Sequence, residues 1–193
     1  MALTVAVEGL PGSGKTTVIG MMMDDLRKRG FTVQMADIET VGHAPVLRAI
    51  ARTYSLGHPA RILLFWILRL QQYEKIQEMA SAADIVFADR FWGSTIAFDV
   101  HGNGVPCELL AWVGQHIERS LDITFFFEAP VDFVRKRKES KTMGDLGFAQ
   151  RVEQGYQQLA EALSWVRVDA TKEVEQVKEY CLGAVLRELA RRT

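Results

Sequence analysis

The residues best suited to chemistry lie in one short segment near the amino terminus. Residues 9–16 read Gly-Leu-Pro-Gly-Ser-Gly-Lys-Thr and fit the pattern G-x-x-x-x-G-K-[ST]. In this pattern glycines let backbone N–H groups turn toward phosphate oxygens, the lysine reaches the outer phosphates, and the hydroxyl can bind Mg²⁺. The segment therefore predicts binding of ATP with Mg²⁺. The residues assigned to ATP are Gly9, Pro11, Gly12, Ser13, Gly14, Lys15, Thr16 and Thr17.

The elements on either side of this loop fit the same role. The apolar residues Leu3, Val5 and Val7 predict a buried strand before the loop, and residues 16–29 predict a helix after it. The positive end of the helix dipole would then face the bound phosphates. This strand, loop and helix context distinguishes a binding site from a chance match.

Further strand and helix patterns alternate along the rest of the chain. Continuous apolar runs predict strands at Leu3–Glu8, Phe31–Asp37, Ile85–Asp89, Ile123–Glu128 and Val166–Asp169. Helical patterns cover 15–29, 44–55, 58–82, 92–100, 106–119, 131–138, 147–163 and 172–191. The alternation predicts a three-layer α/β/α fold with a five-stranded parallel sheet, formed by residues 1–193 as a single domain.

Polar residues end most of the predicted strands. Ligands of parallel sheets bind at the carboxyl ends of the strands, so these residues are candidates for the site. They are Glu8, Asp37, Glu39, Asp89, Arg90, Glu128 and Asp169.

The pair Asp89 and Arg90 favours a kinase over an NTPase that activates water. The carboxylate suits Mg²⁺ or a hydroxyl, and the adjacent guanidinium suits the phosphate of an acceptor. The alternative is a structural ion pair at the end of the strand.

A basic cluster at 135–138 leads into a polar segment with two glycines. Such a run is usually a solvated helix face. A phosphoryl-transfer enzyme, however, uses a mobile basic lid to exclude water and neutralise charge. The phosphate-binding loop contains no arginine, so residues 135–147 are predicted to form a short lid with Arg135 and Arg137 as its cations.

Two helical patterns supply weaker candidates. Phe65 and Arg69 lie four residues apart on one helix face, where a ring and a forked donor would suit a nucleobase. A core phenylalanine beside a solvent-directed arginine is the plainer interpretation. Arg151 and Tyr156 either reach the site or lie on the surface.

Charge, apolar stretches and cysteine spacing limit the possible partners and location of the protein. The formal net charge of −1 gives no general attraction to nucleic acid or to an anionic membrane. The apolar stretch at 62–70 is too short to span a membrane, and residues 1–8 do not resemble a signal peptide. Cys107 and Cys181 lack metal-ligand spacing and predict free thiols in a reducing compartment. We therefore expect a cytoplasmic protein with a small-molecule substrate.

Taken in chain order, the motifs resemble those of the thymidylate kinase family. Together they span residues 4 to about 186. They are Glu8-Gly-x-x-Gly-x-Gly-Lys-Thr-Thr, Leu64-Phe65-x-x-x-Arg69, Asp89-Arg90-Phe-x-x-Ser94-x-x-Ala97-Phe98, Arg151-Val-x-x-Gly155-Tyr156 and Val168-Asp169-Ala170.

The resemblance implies ATP- and Mg²⁺-dependent phosphorylation of a deoxynucleoside monophosphate, dTMP to dTDP, by a protein that is commonly homodimeric. The implied catalytic residues are Lys15, Asp89, Arg90, Arg135 and Arg137, with Thr16 and Asp89 at the metal. The implied acceptor residues are Glu39, Phe65, Arg69, Arg90, Ser94, Phe98 and Tyr156. Asp169 and Ala170 would border the adenine of ATP.

The departures from the family pattern lie on the acceptor and lid side. Pro11 stands where relatives usually have an acid that contacts the acceptor sugar, and Phe98 stands where a tyrosine is usual. Two alternatives therefore stay open. One is a deoxynucleoside kinase with Glu39 as base for a 5′-hydroxyl, and the other is a nucleotide-binding protein without turnover.

Overall fold

In the computed structural model, the described residues are 1–38, 44–53, 58–106, 121–137 and 143–192. They form a sheet of five parallel strands in the order β2-β3-β1-β4-β5. The strands are β1 (Leu3–Gly9), β2 (Val33–Met35), β3 (Ile85–Asp89), β4 (Ile123–Glu128) and β5 (Val166–Asp169). The central strand β1 pairs with β3 on one side and β4 on the other. The predicted five-stranded parallel sheet is confirmed.

Helices connect the strands and cover both faces of the sheet. The α-helices are α1 (Lys15–Lys28), α2 (Ala44–Thr53), α3 (His58–Ala80), α4 (Trp92–Thr95), α5 (Val131–Arg137), α6 (Leu146–Ala162) and α7 (Val174–Ala190). A π-helix (Ile96–Gly102) continues directly from α4.

Two hydrophobic clusters lie on opposite faces of the sheet, which explains why the strands have continuous apolar runs. Val5 and Val7 of β1 pack in one cluster with Ile19 of α1. Ala6, between them in sequence, belongs to the other cluster with Trp66 of α3. Side chains alternate across a strand, so both faces of β1 are buried and the three-layer arrangement follows.

The structure corrects two predicted elements. Strand β2 is Val33–Met35 rather than 31–37, because it lies at the edge of the sheet and pairs only with β3 among the described strands. The predicted helix at 92–100 is α-helical only to Thr95 and π-helical from 96 to 102. Apolar spacing does not reveal a π turn, since one added residue per turn changes little over so short a segment. The predicted helix at 106–119 lies almost wholly outside the described residues.

None of the described helices is both long enough and apolar enough to cross a membrane.

Candidate active site

A cavity of about 1300 Å³ opens at the carboxyl ends of β1 and β3. The phosphate-binding loop forms one wall of this cavity, and Asp89 and Arg90 follow from β3. A smaller cavity of about 370 Å³ lies beside α7 and includes the amino ends of β4 and β5. Ligands of parallel sheets bind at the carboxyl ends of the strands, so the larger cavity is the candidate active site.

The loop is held in shape by its own lysine. Lys15 is 4 % exposed, and its ammonium donates to the carbonyl oxygen of Leu10 at 2.7 Å and to the Ser13 hydroxyl at 3.0 Å. Gly9, at the end of β1, has a φ of 138° and lies against β4, where a Cβ atom would come within 2.6 Å of the Phe127 carbonyl oxygen. A side chain at Gly9 would therefore push the loop away from the sheet.

Six of the eight residues assigned to ATP line the cavity, and Gly9 and Ser13 are not among its described lining residues. Pro11, Gly12, Gly14, Lys15, Thr16 and Thr17 line it. Ser13 is buried behind the loop at 2 % exposure, where its hydroxyl contacts the lysine.

Thr16 and Asp89 meet across the floor of the cavity. The threonine hydroxyl donates to a carboxylate oxygen of Asp89 at 2.5 Å. Thr16 lies in the first turn of α1 and Asp89 ends β3, so the fold brings together two groups that are 73 positions apart. Both present oxygen atoms, the ligand type that Mg²⁺ prefers.

Arg90 has an unusual backbone conformation, with a φ of 63°. Its amide N–H donates to the Val7 carbonyl oxygen at 3.0 Å, and its guanidinium donates to Ser94 at 3.2 Å and to Tyr156 at 3.1 Å. The guanidinium carbon also lies 5.8 Å from the centre of the Phe98 ring. These contacts hold a cation at the cavity wall, directly after the end of β3.

Glu8 supports this arrangement from beneath and is 1 % exposed. One carboxylate oxygen accepts from the backbone N–H groups of Phe91 at 2.8 Å and Ser94 at 3.1 Å, and the other accepts from the Ser94 hydroxyl at 2.6 Å. The carboxylate thus satisfies the amino end of α4. Gly93 allows this approach, because a Cβ atom there would lie 2.3 Å from the Trp165 ring and 3.1 Å from Glu8.

Tyr156 lies behind Arg90 and is fully buried, so it is absent from the described lining of the cavity. Its hydroxyl is 2.7 Å from the Ser94 hydroxyl. Burial, together with the neighbouring Glu8 carboxylate, raises the pKa of Tyr156, so the phenol stays protonated and can donate a hydrogen bond. Tyr156 therefore orients Ser94 and Arg90 and is shielded from a ligand in the cavity.

The opposite end of the cavity holds the predicted base-binding residues. Phe65 is half-buried and lines the cavity, and Arg69 is 5 % exposed rather than directed to solvent. The Arg69 side chain donates from Nε to the Thr95 hydroxyl at 3.2 Å. Phe98 and Asp99, on the π-helix, complete this wall.

The described part of the predicted lid places one of its two cations at the cavity. Arg137 lines the cavity, with its guanidinium carbon 4.5 Å from the centre of the Phe133 ring. Arg135 is exposed and donates to the Gly144 carbonyl oxygen at 3.3 Å. Residues 138–142 of the predicted lid lie outside the described residues.

The remaining predicted residues lie apart from the cavity lining. Asp169 and Ala170 follow β5, and neither is among the described lining residues. The Thr171 hydroxyl and N–H donate to Asp169 and lower the pKa of its carboxyl, while the Ala170 N–H donates to the Glu128 carbonyl oxygen at 2.9 Å. Glu39 lies outside the described residues.

Sequence reasoning gave no chemical role to Glu8, Gln72, Thr95 or Asp99. Glu8 was marked only by its position at the end of a strand. Thr95 and Asp99 lie four residues apart and both reach the cavity, a signal that helical spacing could have supplied. Gln72 is one of several polar residues on α3, and nothing in its sequence context distinguishes it.

Comparison with known proteins agrees with this geometry. The profile of the thymidylate kinase family matches residues 7–180. A thymidylate kinase of Halothermothrix orenii is 29 % identical over 91 % of this chain and 92 % of its own length. Thymidylate kinases of Acinetobacter baumannii and of a Synechococcus species are 27 % and 28 % identical, and cover 92 % and 98 % of this chain and 97 % and 98 % of their own lengths.

The family profile thus covers most of the chain, including the loop, both cavity walls and α6. It confirms the resemblance and the enzyme class predicted from the motifs, a kinase with a nucleotide substrate. The chain belongs to the thymidylate kinase family.

Proposed function

We propose that this chain transfers the γ-phosphoryl group of ATP to the 5′-phosphate of dTMP and so forms dTDP. ATP is the phosphoryl donor that thymidylate kinases use. The observation that carries the proposal is the position of Arg90, which faces the same cavity as the phosphate-binding loop. Hydrogen bonds to Ser94 and Tyr156 hold this cation at the cavity wall, which supports binding of a second phosphate beside the first.

The donor site is assigned to the loop. Backbone N–H groups of residues 12–17 would bind the phosphates of ATP, and Lys15 would neutralise charge on the outer ones. Asp169 and Ala170 would border the adenine. Family membership supports the adenine assignment, because the described cavity lining does not include these two residues.

The acceptor site is assigned to the opposite wall. Arg90 would bind the acceptor phosphate, Phe65 would stack on the base, and Arg69 would donate to a base oxygen. Phe98 would contact the sugar. Tyr156 and Ser94 would act by holding the Arg90 guanidinium in place.

The catalysis that these residues supply is positioning and electrostatic stabilisation. The acceptor phosphate oxygen is already anionic, so its attack on the γ-phosphorus requires no strong base. Arg90 would keep that oxygen close to the donor, and Arg137 would neutralise the charge that develops during transfer. Arg135 is not among the described lining residues, and its role as a second lid cation stays a prediction. The bond to the β-phosphate oxygen breaks, and ADP leaves.

We assign Mg²⁺ to Thr16 and Asp89. A neighbouring hydroxyl and carboxylate fit an ion that keeps several waters and binds one or two protein groups plus phosphate. When bound, the ion would neutralise charge on the outer phosphates of ATP.

An acceptor panel tests the proposal. Purified protein is incubated with ATP and each of dTMP, dUMP, dCMP, dAMP, dGMP and thymidine, and ADP is measured. We expect dTMP to give the highest kcat/KM, and chelation of divalent ions to abolish turnover. Preference for thymidine would favour a nucleoside kinase, in which case a Glu39→Gln variant should lose turnover but keep ATP affinity. Failure of all acceptors would leave a nucleotide-binding protein.

A homodimer is the expected oligomer. Leu63, Ile67 and Leu70 of α3 are 49 %, 45 % and 40 % exposed, and their spacing places them on one helix face. Pairing of this face with its copy in a second chain would remove the apolar side chains from water. Light scattering should therefore give twice the chain mass, and a mass of 21.7 kDa would contradict the proposal.

Three expectations from the sequence stay predictions, namely a single domain over residues 1–193, a cytoplasmic location and the absence of nucleic-acid binding.

A further inference from the structure

Gln72 lies at the centre of a hydrogen-bond network beneath the acceptor site and is 0 % exposed. Its carbonyl oxygen accepts from the Arg69 guanidinium at 2.7 Å. Its amide nitrogen donates to the Ala36 carbonyl oxygen at 2.7 Å and to the Arg90 carbonyl oxygen at 3.0 Å. A flipped amide would oppose donor to donor and acceptor to acceptor, so the partners define its orientation.

The three partners come from three separate elements. Arg69 and Gln72 lie one turn apart on α3, Ala36 follows β2, and Arg90 follows β3. The contacts to Ala36 and Arg90 span 36 and 18 positions of sequence. The buried Gln72 amide therefore links α3, which carries the proposed base-binding residues, to the segments that follow β2 and β3. The segment after β3 contains Arg90, the residue proposed to bind the acceptor phosphate.

The carbonyl oxygen of Arg90 links the base-binding and phosphate-binding ends of the proposed acceptor site. It accepts from Gln72 and also from the guanidinium of Arg69, at 3.0 Å in each case. The same residue has a φ of 63°, a conformation that side-chain-bearing residues adopt only when their surroundings hold them there. The two hydrogen bonds to the Arg90 carbonyl oxygen stabilise this backbone conformation.

We infer that Gln72 is a positioning residue that couples the base and phosphate ends of the acceptor site. It fixes the Arg69 guanidinium and the Arg90 backbone as one unit, so both contacts to the nucleotide depend on its amide. The inference rests on the proposed function, in which these two arginines bind the base and the phosphate of one molecule.

Gln71→Met is the matched control for Gln72→Met. The two residues are adjacent glutamines on α3, and the side-chain oxygen of Gln71 is buried without a hydrogen-bond partner among the described residues. We expect Gln72→Met to lower kcat/KM for dTMP by about 100-fold, because a displacement near 1 Å of binding groups costs about that much. ATP affinity, measured by calorimetry, should change less than about twofold. Gln71→Met should leave both quantities near wild type.

A double-mutant cycle separates positioning from simple destabilisation. If Gln72 acts through Arg69, then Gln72→Met should cost less than about fivefold in an Arg69→Met background. An equal loss in both backgrounds would overturn the inference, as would a parallel loss of ATP affinity.

A second variant covers the case in which Gln72→Met does not fold. Gln72→Glu keeps the size and the acceptor for Arg69 but loses the donors to Ala36 and Arg90, so it should weaken dTMP binding with ATP binding intact. Unchanged dTMP binding would overturn the inference. Wild-type turnover in the acceptor panel tests the proposed function on its own, and the cycle then uses whichever nucleotide is preferred.

Discussion

Replacing Arg90 with methionine is expected to lower kcat/KM for dTMP by about 10³-fold, while ATP affinity stays within about twofold. The variant removes a guanidinium that two hydroxyl groups, those of Ser94 and Tyr156, hold at the cavity wall. A charge-assisted contact to phosphate in a site shielded from water contributes about 4 kcal/mol to the transition state, which corresponds to that factor. Steady-state kinetics with each substrate varied in turn measures the effect.

Two controls test whether the loss comes from the cation at this place. Arg90→Lys keeps a positive charge and a Cβ atom at the same left-handed position, so it carries the same backbone strain but lacks the forked donor. It should recover about a tenth to a hundredth of wild-type kcat/KM. Arg137→Met, on the lid, should lower kcat and leave the KM for dTMP nearly unchanged. An Arg90→Met variant with unaltered kcat and KM for dTMP would contradict the assignment.

Replacing Glu8 with leucine is expected to lower the free energy of unfolding by about 3 kcal/mol. Leucine fills a similar space but leaves the buried N–H groups of Phe91 and Ser94 without their acceptor. Each buried donor that loses its partner costs about 1–3 kcal/mol. Urea denaturation followed by circular dichroism measures the change.

Glu8→Gln separates the loss of charge from the loss of acceptors. The amide oxygen can still accept from both backbone N–H groups, and the hydroxyl of Ser94 can turn to accept from the amide nitrogen. We expect a loss of about 1 kcal/mol for this variant. Equal losses for leucine and glutamine would mean that the charge, rather than the satisfied donors, is what stabilises the end of α4.

The parts of the fold that sequence predicted correctly depend on short segments. The loop at 9–16 could be identified because eight consecutive residues determine its backbone shape. The strands could be identified because burial on both faces leaves continuous apolar runs. In each case the physical cause and its sequence signal lie within about ten residues.

The parts that sequence could not predict depend on contacts between distant segments. The Tyr156 side chain lies behind Arg90 rather than in the cavity because α6 packs closely against the π-helix. The glycine at 155 permits this packing, since a Cβ atom there would lie 2.6 Å from the His101 side chain. The buried position of Arg69 depends on carbonyl and hydroxyl acceptors supplied by residues after β3. Helical spacing predicts which residues share a face of a helix, but it does not predict which residues pack against that face.

The Glu8 carboxylate has a consequence for the entropy of bringing two anions together. Glu8 accepts a hydrogen bond from the start of α4, and seven positions later Lys15 begins α1, the helix that we propose faces the ATP phosphates. The segment between these two residues has a fixed length and therefore sets the distance between the proposed ATP and dTMP phosphate sites. Its length is set when the protein folds, so much of the translational freedom that two phosphates must lose is already restricted before either nucleotide arrives.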